Sequence, residues 1–589
     1  MNIKEKLARE TALRCVLLGM ILLLNAVITV LLTEGVWRSS LSEGIYWLMT
    51  RYRFSLWNIA VIFSLSLLLT LLMRRLSLSM LMTNALAALA SVIHYFKMDL
   101  RGEPLLLTDI DQAETAMQVI GAYQLDLPTS KLLFVLIMVL LPAVLCIGVR
   151  LRKTHLKRRA ASCLLGAALL CFSVVQTAGL YKTIYVIIYN MYVDEAGLVA
   201  GIIGSYPKKL EKPSDYSAQT VKDALGPVQR TAGSPEMKPD ILFVMLESFY
   251  DPTKIPGVNV EGDLLVNMRS LQQEGWGGEL IVPKFGGGTG QIEYEVMTGY
   301  RGSDTDGNAY LTAGIMREGM ESIVSLLQEH GYFTQTMHPS TKTAYGRDKA
   351  YARLGFDSSL FIGDMSEVDA FYGTTPADSW FLPEVLAQYD KYRTEQPYFA
   401  YIVTFQNHGG YLDKTVPWVV PVSGPTGDYL TSANNYVNGL YMTDQALPLL
   451  FDVLRERERP TLVVMYGDHS PAWSSFGIVG NDALDFAAHT TPLLIWSNYG
   501  FEVPEDTPDM ISSYRLGALV MDMLGFGSDA YFSSLRDAPD LYYKQGYIVE
   551  EGELASDTER YAQEDARLKL LHYDRLNGSN YTKQISGGQ

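Results

Sequence analysis

The first 180 residues carry five apolar stretches, at about 15–33, 54–73, 76–96, 132–149 and 160–180. Each is close to the roughly 20 residues a helix needs to cross the hydrocarbon core of a bilayer. In lipid every backbone N–H and C=O must be paired within the segment, so these stretches can only be helices. The first has no small-residue cleavage site behind it and reads as an anchor, not a removed signal peptide. Lys4, Lys6, Arg9 and Arg14 precede the first span, Arg74 and Arg75 separate the second from the third, and Arg150, Arg152, Lys153, Lys157, Arg158 and Arg159 separate the fourth from the fifth. The positive-inside rule puts those segments in the cytoplasm, against Arg38, Arg51 and Arg53 on the first outer loop. Everything after about residue 180 is then expected outside.

Two connectors have a surface character. The outer loop 97–131 contains Arg101-Gly102-Glu103-Pro104 and Thr108-Asp109, then an amphipathic run to Tyr123, and reads as a re-entrant or interfacial connector or as a platform at the membrane surface near the catalytic domain. Residues 181–235 begin aromatic and amphipathic, from Tyr181 to Tyr206, and continue as a polar Pro/Ser/Lys stretch, an interfacial helix and linker. The expected division is a transmembrane domain over 1–180, the bridge over 181–235, an extracellular catalytic domain over 236–548 and a C-terminal helix and polar tail over 549–589.

From Lys238 onward short apolar runs alternate with helical patterns. Strands are expected at 240–246, 398–405, 461–466 and 491–496, and helices at 319–330, 347–354, 433–456 and 512–524. That alternation predicts an α/β domain with a mainly parallel central sheet. The tail after about 548 predicts a peripheral helix near 557–571 and a disordered end. A net charge of -16 argues against a nucleic-acid partner. All four cysteines, Cys15, Cys146, Cys163 and Cys171, lie in the apolar first third, which excludes a cysteine nucleophile, or a formylglycine made from one, in the soluble part.

The chemistry gathers at the ends of the apolar runs, where open α/β sheets keep their sites. Phe285-Gly286-Gly287-Gly288-Thr289-Gly290 is a glycine-rich loop that lets backbone approach a phosphoryl group; no Gly-Lys-Ser/Thr follows, so it is not a nucleotide P-loop. Thr289 reads as a nucleophile, and a threonine hydroxyl needs activation near neutral pH. Glu247 closes one apolar run and Asp468-His469 another, and these hard and borderline donors with Thr289 suit one Mn²⁺, Mg²⁺ or Zn²⁺ ion. Arg347 offers a planar fork for phosphate oxygens, and His338 and His408 can donate to oxygens or move a proton. His489 and Asp348 are ambiguous.

Glu247 after its strand, the threonine loop with Glu293 four residues on, His338 before Tyr345-Gly346-Arg347-Asp348-Lys349-Ala350-Tyr351, Phe405-Gln406-Asn407-His408 and Tyr466-Gly467-Asp468-His469 occur in the order seen in lipoteichoic acid synthases. With five N-terminal spans, nearly the whole chain resembles that family. The resemblance implies a sulfatase-like, alkaline-phosphatase-type fold in which Glu247, Thr289, Asp468 and His469 hold Mn²⁺ or Mg²⁺. It implies that Thr289 attacks phosphatidylglycerol, that diacylglycerol leaves, and that a glycolipid or growing polyglycerolphosphate accepts the glycerol phosphate. His338, Arg347 and His408 would contact the substrate, and the source would be Gram-positive. Well-known members carry a lysine directly before the threonine and a tryptophan in place of Tyr345; here Gly288 precedes Thr289. The competing readings are a phosphoethanolamine transferase, a sulfatase or phosphodiester hydrolase of the same fold, and a non-catalytic lipid- or polymer-binding member.

Overall fold

The computed structural model describes residues 3–38, 40–101, 104–112, 127–151, 156–180, 196–205, 212–226, 237–302, 321–342, 346–393, 395–414, 416–478, 486–526 and 530–587. Its contacts form two compact units, Met1–Asp109 with Leu125–Tyr206, and Ile110–Gln124 with Pro207–Gln589.

In the first unit the helices are α1 (Ile3–Trp37), α2 (Leu41–Thr50), α3 (Tyr52–Met73), α4 (Leu76–Arg101), α5 (Thr129–Leu145) and α6 (Leu156–Leu180). Among the described residues four segments are long and apolar enough to cross a membrane, Ala12–Trp37, Tyr52–Met73, Leu76–Met98 and Leu156–Ala178; α5 is a shorter apolar helix of 17 residues. The five expected stretches thus fall on four such helices plus α5. Their outer faces expose Leu, Ile and Met, whereas the interior holds a reciprocal amide pair. Asn25 Nδ2 donates to Asn84 Oδ1 at 3.1 Å, Asn84 Nδ2 returns the bond at 3.0 Å, and Thr29 Oγ1 joins at 3.0 Å. Paired amides of this kind tie helices together in an apolar medium.

Part of the expected bridge belongs to this bundle. Helix α7 (Leu198–Gly204) buries Leu198, Ala200, Gly201 and Gly204, and its first N–H groups donate to Glu34 Oε1 at 2.8 Å and Asn58 Oδ1 at 3.0 Å. At 196–205 the expected bridge is a short helix whose otherwise orphaned N-terminal donors are satisfied by α1 and α3. Residues 181–195, 206–211 and 227–235 lie outside the described residues, as does the amphipathic run from 113 to Tyr123.

In the second unit eight strands form one sheet: β1 (Asp240–Leu246), β2 (Trp276–Ile281), β3 (Phe333–His338), β4 (Ser358–Phe361), β5 (Tyr398–Val403), β6 (Thr461–Gly467), β7 (Thr490–Ser497) and β8 (Met510–Ser512), in the order β8-β2-β7-β6-β1-β5-β3-β4. Neighbours from β6 to β4 are parallel, β7 is antiparallel to β6 and β2, and β2 and β8 are parallel. Side chains alternate across β1: Ile241, Phe243 and Met245 enter one apolar layer, Leu242, Val244 and Leu246 the other. Burial on both faces makes β1 and β6 continuous apolar runs, the pattern visible in the sequence.

Strand β1 coincides with its expected range, and β5, β6 and β7 end within two residues of theirs. Strands β2, β3, β4 and β8 were not expected. β2 contains Gly277 and Gly278, and β3 buries the polar Thr334, Gln335 and Thr336, of which Thr334 pairs with Asp357 and Gln335 with Ser358 and Tyr398.

Among its helices are α8 (Thr289–Thr298), α9 (Ile323–Glu329), α10 (Arg347–Leu354), α11 (Asp378–Tyr392), α12 (Asp428–Arg455), α13 (Ser513–Met523) and α14 (Thr558–Leu576). Of the stretch 319–330, residues 319 and 320 lie outside the described residues. Helix α14 is not peripheral: Leu568, Leu571 and His572 are fully buried, and Tyr531 Oη lies 2.7 Å from His572 Nε2. After it Tyr581–Gly587 is helical, where a disordered end was expected.

Candidate active site

Parallel pairing of β1 with β6 puts Leu246 opposite Gly467, so the next residues, Glu247 and Asp468, leave the sheet side by side at its C-terminal edge. Gly467 is required there, because a Cβ would lie 2.0 Å from the Phe249 carbonyl oxygen. Glu247 N–H donates to Thr404 Oγ1 at 2.9 Å, and Ser248 turns the chain with φ +48°, a left-handed conformation rare for serine. Its N–H and that of His469 donate to Asp468 Oδ1 at 2.7 and 2.8 Å, while Ser248 Oγ donates to Glu247 Oε1 at 3.0 Å.

His469 Nδ1 lies 2.9 Å from the Ser470 carbonyl oxygen, which only accepts, so the proton is on Nδ1 and the lone pair of Nε2 is directed inward. Nε2 is 3.3 Å from Asp468 Oδ2 and 3.6 Å from Glu247 Oε1. Donor atoms of Glu247, Asp468 and His469 lie within 4.8 Å of one another, and all three residues are buried. Burial, then the neighbouring Asp468 charge, pushes the Glu247 carboxyl up to about 7; burial pushes Asp468 up to about 7 against an opposing hydrogen bond from Thr289. Asp468 Oδ2 is buried without a well-angled hydrogen bond. Two carboxylates and an imidazole lone pair facing one another form a ligand set that fits a divalent cation.

Thr289 enters from the other side. Gly286, Gly287 and Gly288 have φ of +65°, +146° and +96°, and Gly288 caps α8 so that Thr289 is its first residue, 2 % exposed. Gly286 N–H donates to the Ser470 carbonyl oxygen at 2.7 Å, the same oxygen that orients His469. A Cβ at Gly286 would lie 2.8 Å from Ala472. The glycine run is therefore a fixed turn that leaves Thr289 at a helix N-terminus, where backbone N–H groups favour an anion, and near enough to Asp468 to oppose the rise of that carboxyl.

The expected set Glu247, Thr289, Asp468 and His469 is thus brought together. The expected phosphate contacts have internal partners as well. Arg347 is 2 % exposed; its Nε and Nη2 donate to Glu293 Oε1 at 2.9 and 2.5 Å, and Nη1 to His338 Nε2 at 3.1 Å. His338 Nδ1 donates to the Val403 carbonyl oxygen at 3.0 Å, and burial together with Arg347 holds the ring neutral. His408 is half-buried, its Nδ1 3.3 Å from the Gly409 carbonyl oxygen, and Phe405 packs against both His408 and His338. His489 is buried with Nδ1 on the Val282 carbonyl oxygen and stacks on Tyr543. Asp348 caps its own turn through Lys349 N–H, and Tyr345 lies outside the described residues.

Some participants carried no recognised signal. Gln406 is clamped: Lys414 Nζ and Thr375 Oγ1 donate to its carbonyl oxygen at 2.8 and 3.0 Å, and its side chain bonds Asp378 N–H, the Gly439 carbonyl oxygen and Thr443. Burial lowers Lys414 to about 7, opposed by Glu247 and Asp378. The Lys284 stem crosses Gly288, its Cγ 2.8 Å from where a Cβ would be.

Residues 239–526 match the Sulfatase family. Over those residues the fold is sulfatase-like. Among relatives, one from Rhizobium meliloti named for cyclic beta-1,2-glucan modification is 28% identical over 400 residues, 63% of this chain and 60% of that protein. Lipoteichoic acid synthase 1 of Bacillus subtilis is 26% identical over 176 residues, 28% of this chain and 25% of that protein. The chain therefore aligns with about 60% of the length of the first and a quarter of the second. A Streptococcus pyogenes phosphoglycerol transferase in complex with sn-glycerol-1-phosphate superposes with a TM-score of 0.52 at 20% identity, over 64% of this chain and 99% of that one. The integral membrane protein lipooligosaccharide phosphoethanolamine transferase A of Neisseria meningitidis gives 0.50 at 12% identity, over 87% and 98%. At such identities the likeness is one of fold: apolar N-terminal helices followed by a sulfatase-like domain, the architecture of a multi-pass membrane protein.

Proposed function

We propose that the chain is a metal-dependent phosphoglycerol transferase that moves glycerol phosphate from phosphatidylglycerol to a cell-envelope polymer or glycolipid, as in lipoteichoic acid synthesis. The observation that carries this reading is the buried Glu247/Asp468/His469 cluster, with the buried Thr289 opening a helix beside Asp468. When held by Glu247, Thr289, Asp468 and His469, a divalent cation, proposed as Mn²⁺ with Mg²⁺ as the alternative, would lower the pKa of the Thr289 hydroxyl and take up charge on the phosphoryl oxygen. Thr289 Oγ attacks phosphorus, the bond to the diacylglycerol oxygen breaks, and that oxygen takes a proton to leave as an alcohol. An acceptor hydroxyl then loses its proton, attacks the same phosphorus and displaces Thr289 Oγ. His408, half-buried with Nδ1 3.3 Å from the Gly409 carbonyl oxygen, is the candidate to give and take that proton. Arg347 faces the phosphoryl charge, and His338 holds the guanidinium from behind.

The apolar helices would tether the domain, proposed as 236–548, on the leaflet that supplies the lipid. The relative named for glucan modification supports a saccharide-bearing acceptor. Mass spectrometry of enzyme quenched after exposure to phosphatidylglycerol tests the reading: the expected result is one glycerophosphoryl group on Thr289. A phosphoethanolamine adduct formed from phosphatidylethanolamine, with none from phosphatidylglycerol, would transfer the assignment to the alternative headgroup. Normal phosphatidylglycerol turnover by Thr289→Ala would remove the mechanism.

A further inference from the structure

Helix α8 carries a second acidic residue toward the site. Glu293 follows Thr289 by four residues, so both lie on one helical face, and Glu293 is fully buried. One of its oxygens takes the Nε and Nη2 edge of Arg347, and the other accepts the Tyr351 hydroxyl. Tyr351 comes from α10, the helix that Arg347 opens, so Glu293 fastens α10 at two points one turn apart. His338, at the end of β3, takes Nη1 on the far side of the guanidinium. The group is close to the metal-ligand cluster: the Arg347 charge acts on Glu247, and the Glu293 charge on Asp468.

Resting on the transferase reading, we propose that Glu293 is a positioning residue that fixes the Arg347 guanidinium relative to Thr289 and cancels its excess charge, so that Arg347 stabilises the transferring phosphoryl group without over-binding the resting phosphate. Two features of the geometry support it. Nucleophile and arginine are joined through a single helix and a buried carboxylate, one oxygen of which accepts two guanidinium donors, which holds their relation. A guanidinium neutralised by a carboxylate also contributes less to uniform anion binding than a lone one, and uniform binding does not raise the rate of the chemical step. A purely structural ion pair would not require its acid to sit on the nucleophile's own helix face.

The test uses the full chain in detergent, loaded with Mn²⁺, and three variants, Glu293→Gln, Tyr351→Phe and Arg347→Gln. Calorimetry with inorganic phosphate gives anion affinity, thermal melting reports folding, and turnover is followed on phosphatidylglycerol and on bis(p-nitrophenyl) phosphate. Glu293→Gln is expected to lower kcat by about 30-fold or more while phosphate binds as tightly as in the wild type or up to about tenfold tighter. Tyr351→Phe, which removes only the hydroxyl bond to the second carboxylate oxygen, should move kcat the same way by about three- to tenfold at unchanged melting temperature. It decides the matter should Glu293→Gln not fold. Arg347→Gln should weaken phosphate by about tenfold or more.

Phosphate affinity falling in step with kcat in Glu293→Gln, or kcat within about threefold of wild type in both Glu293→Gln and Tyr351→Phe, would overturn the inference. So would phosphate affinity unaffected by Arg347→Gln. A wild type that cleaves the chromogenic diester but not phosphatidylglycerol would sink the substrate assignment alone, with the Glu293 result still read on the diester. A wild type that neither binds phosphate nor cleaves either diester would overturn both.

Discussion

Two polar centres share the C-terminal edge of the sheet, and they are finished differently. Around Arg347 the charges balance: one guanidinium, one carboxylate, a neutral imidazole and a phenol, each with a partner. Around Asp468 they do not: two carboxylates face an imidazole whose own proton is turned away, and Asp468 Oδ2 lacks a well-angled donor. Burial makes the difference consequential, since unpaired buried charge costs several kcal/mol whereas a balanced pair is nearly neutral. The first centre is complete as a protein structure; the second calls for a cation. Variants should therefore behave differently at the two centres.

The largest effect is expected from Thr289→Ala. If this hydroxyl is the nucleophile, turnover of phosphatidylglycerol should fall by about 10³-fold or more while the melting temperature stays within a few degrees, because the lost group is small. A comparable loss of folded protein would instead assign Thr289 to the scaffold.

Removal of the cation separates the centres through pH. Without it, Glu247 and Asp468 titrate near 7 in the folded chain, above their unfolded values near 4. The folded state then binds more protons than the unfolded state between those values. Stability is greatest below about pH 4 and is lost as pH rises to about 7. With Mn²⁺ bound both carboxyls are held ionised, and stability should rise over the same window. Melting curves with chelator and with Mn²⁺ should thus slope in opposite directions and diverge by roughly 5–10 °C near neutral pH. Superimposable curves would show that the Asp468 centre is as complete as the Arg347 centre.

At the balanced centre, Arg347→Leu should destabilise the domain by about 3–5 kcal/mol by leaving Glu293 buried and unpaired, a loss unaffected by Mn²⁺ and measurable by denaturant titration. His408→Ala is expected to lower turnover by about 10- to 100-fold, flatten the pH–rate profile and leave stability unchanged, because the ring is half exposed. An unaltered pH–rate profile would exclude His408 as the proton carrier.

How far each centre was legible follows from the same contrast. Glu247, Asp468 and His469 end strands buried on both faces, so uninterrupted apolar runs pointed directly at them. The balanced centre hangs on β3, whose buried Thr334, Gln335 and Thr336 break the apolar pattern, and on α8, which starts from three consecutive glycines and reads as a loop. Arg347, His338 and His408 were found as residue types suited to phosphate, but chain order cannot reveal that Glu293 and His338 already occupy the guanidinium. Nor could it show that Glu34 and Asn58 cap the apolar segment 196–205.

The smallest expected effect lies where the two centres meet, in the turn that starts α8. Gly288 has φ +96°, so an alanine there costs about 1–2 kcal/mol of backbone strain, and its Cβ would press on the flexible Lys284 stem. Gly288→Ala should lower the melting temperature by about 2–6 °C and turnover by only a few-fold, since Lys284 can swing aside. Its value is directional. Strain at Gly288 is adjacent to Thr289 but a full helical turn from Glu293, so it should disturb the nucleophile's placement beside Asp468 and leave phosphate affinity, set by Arg347, as it was. If phosphate affinity fell as well, α8 would be moving as one lever, and the two centres would have to be treated as a single device.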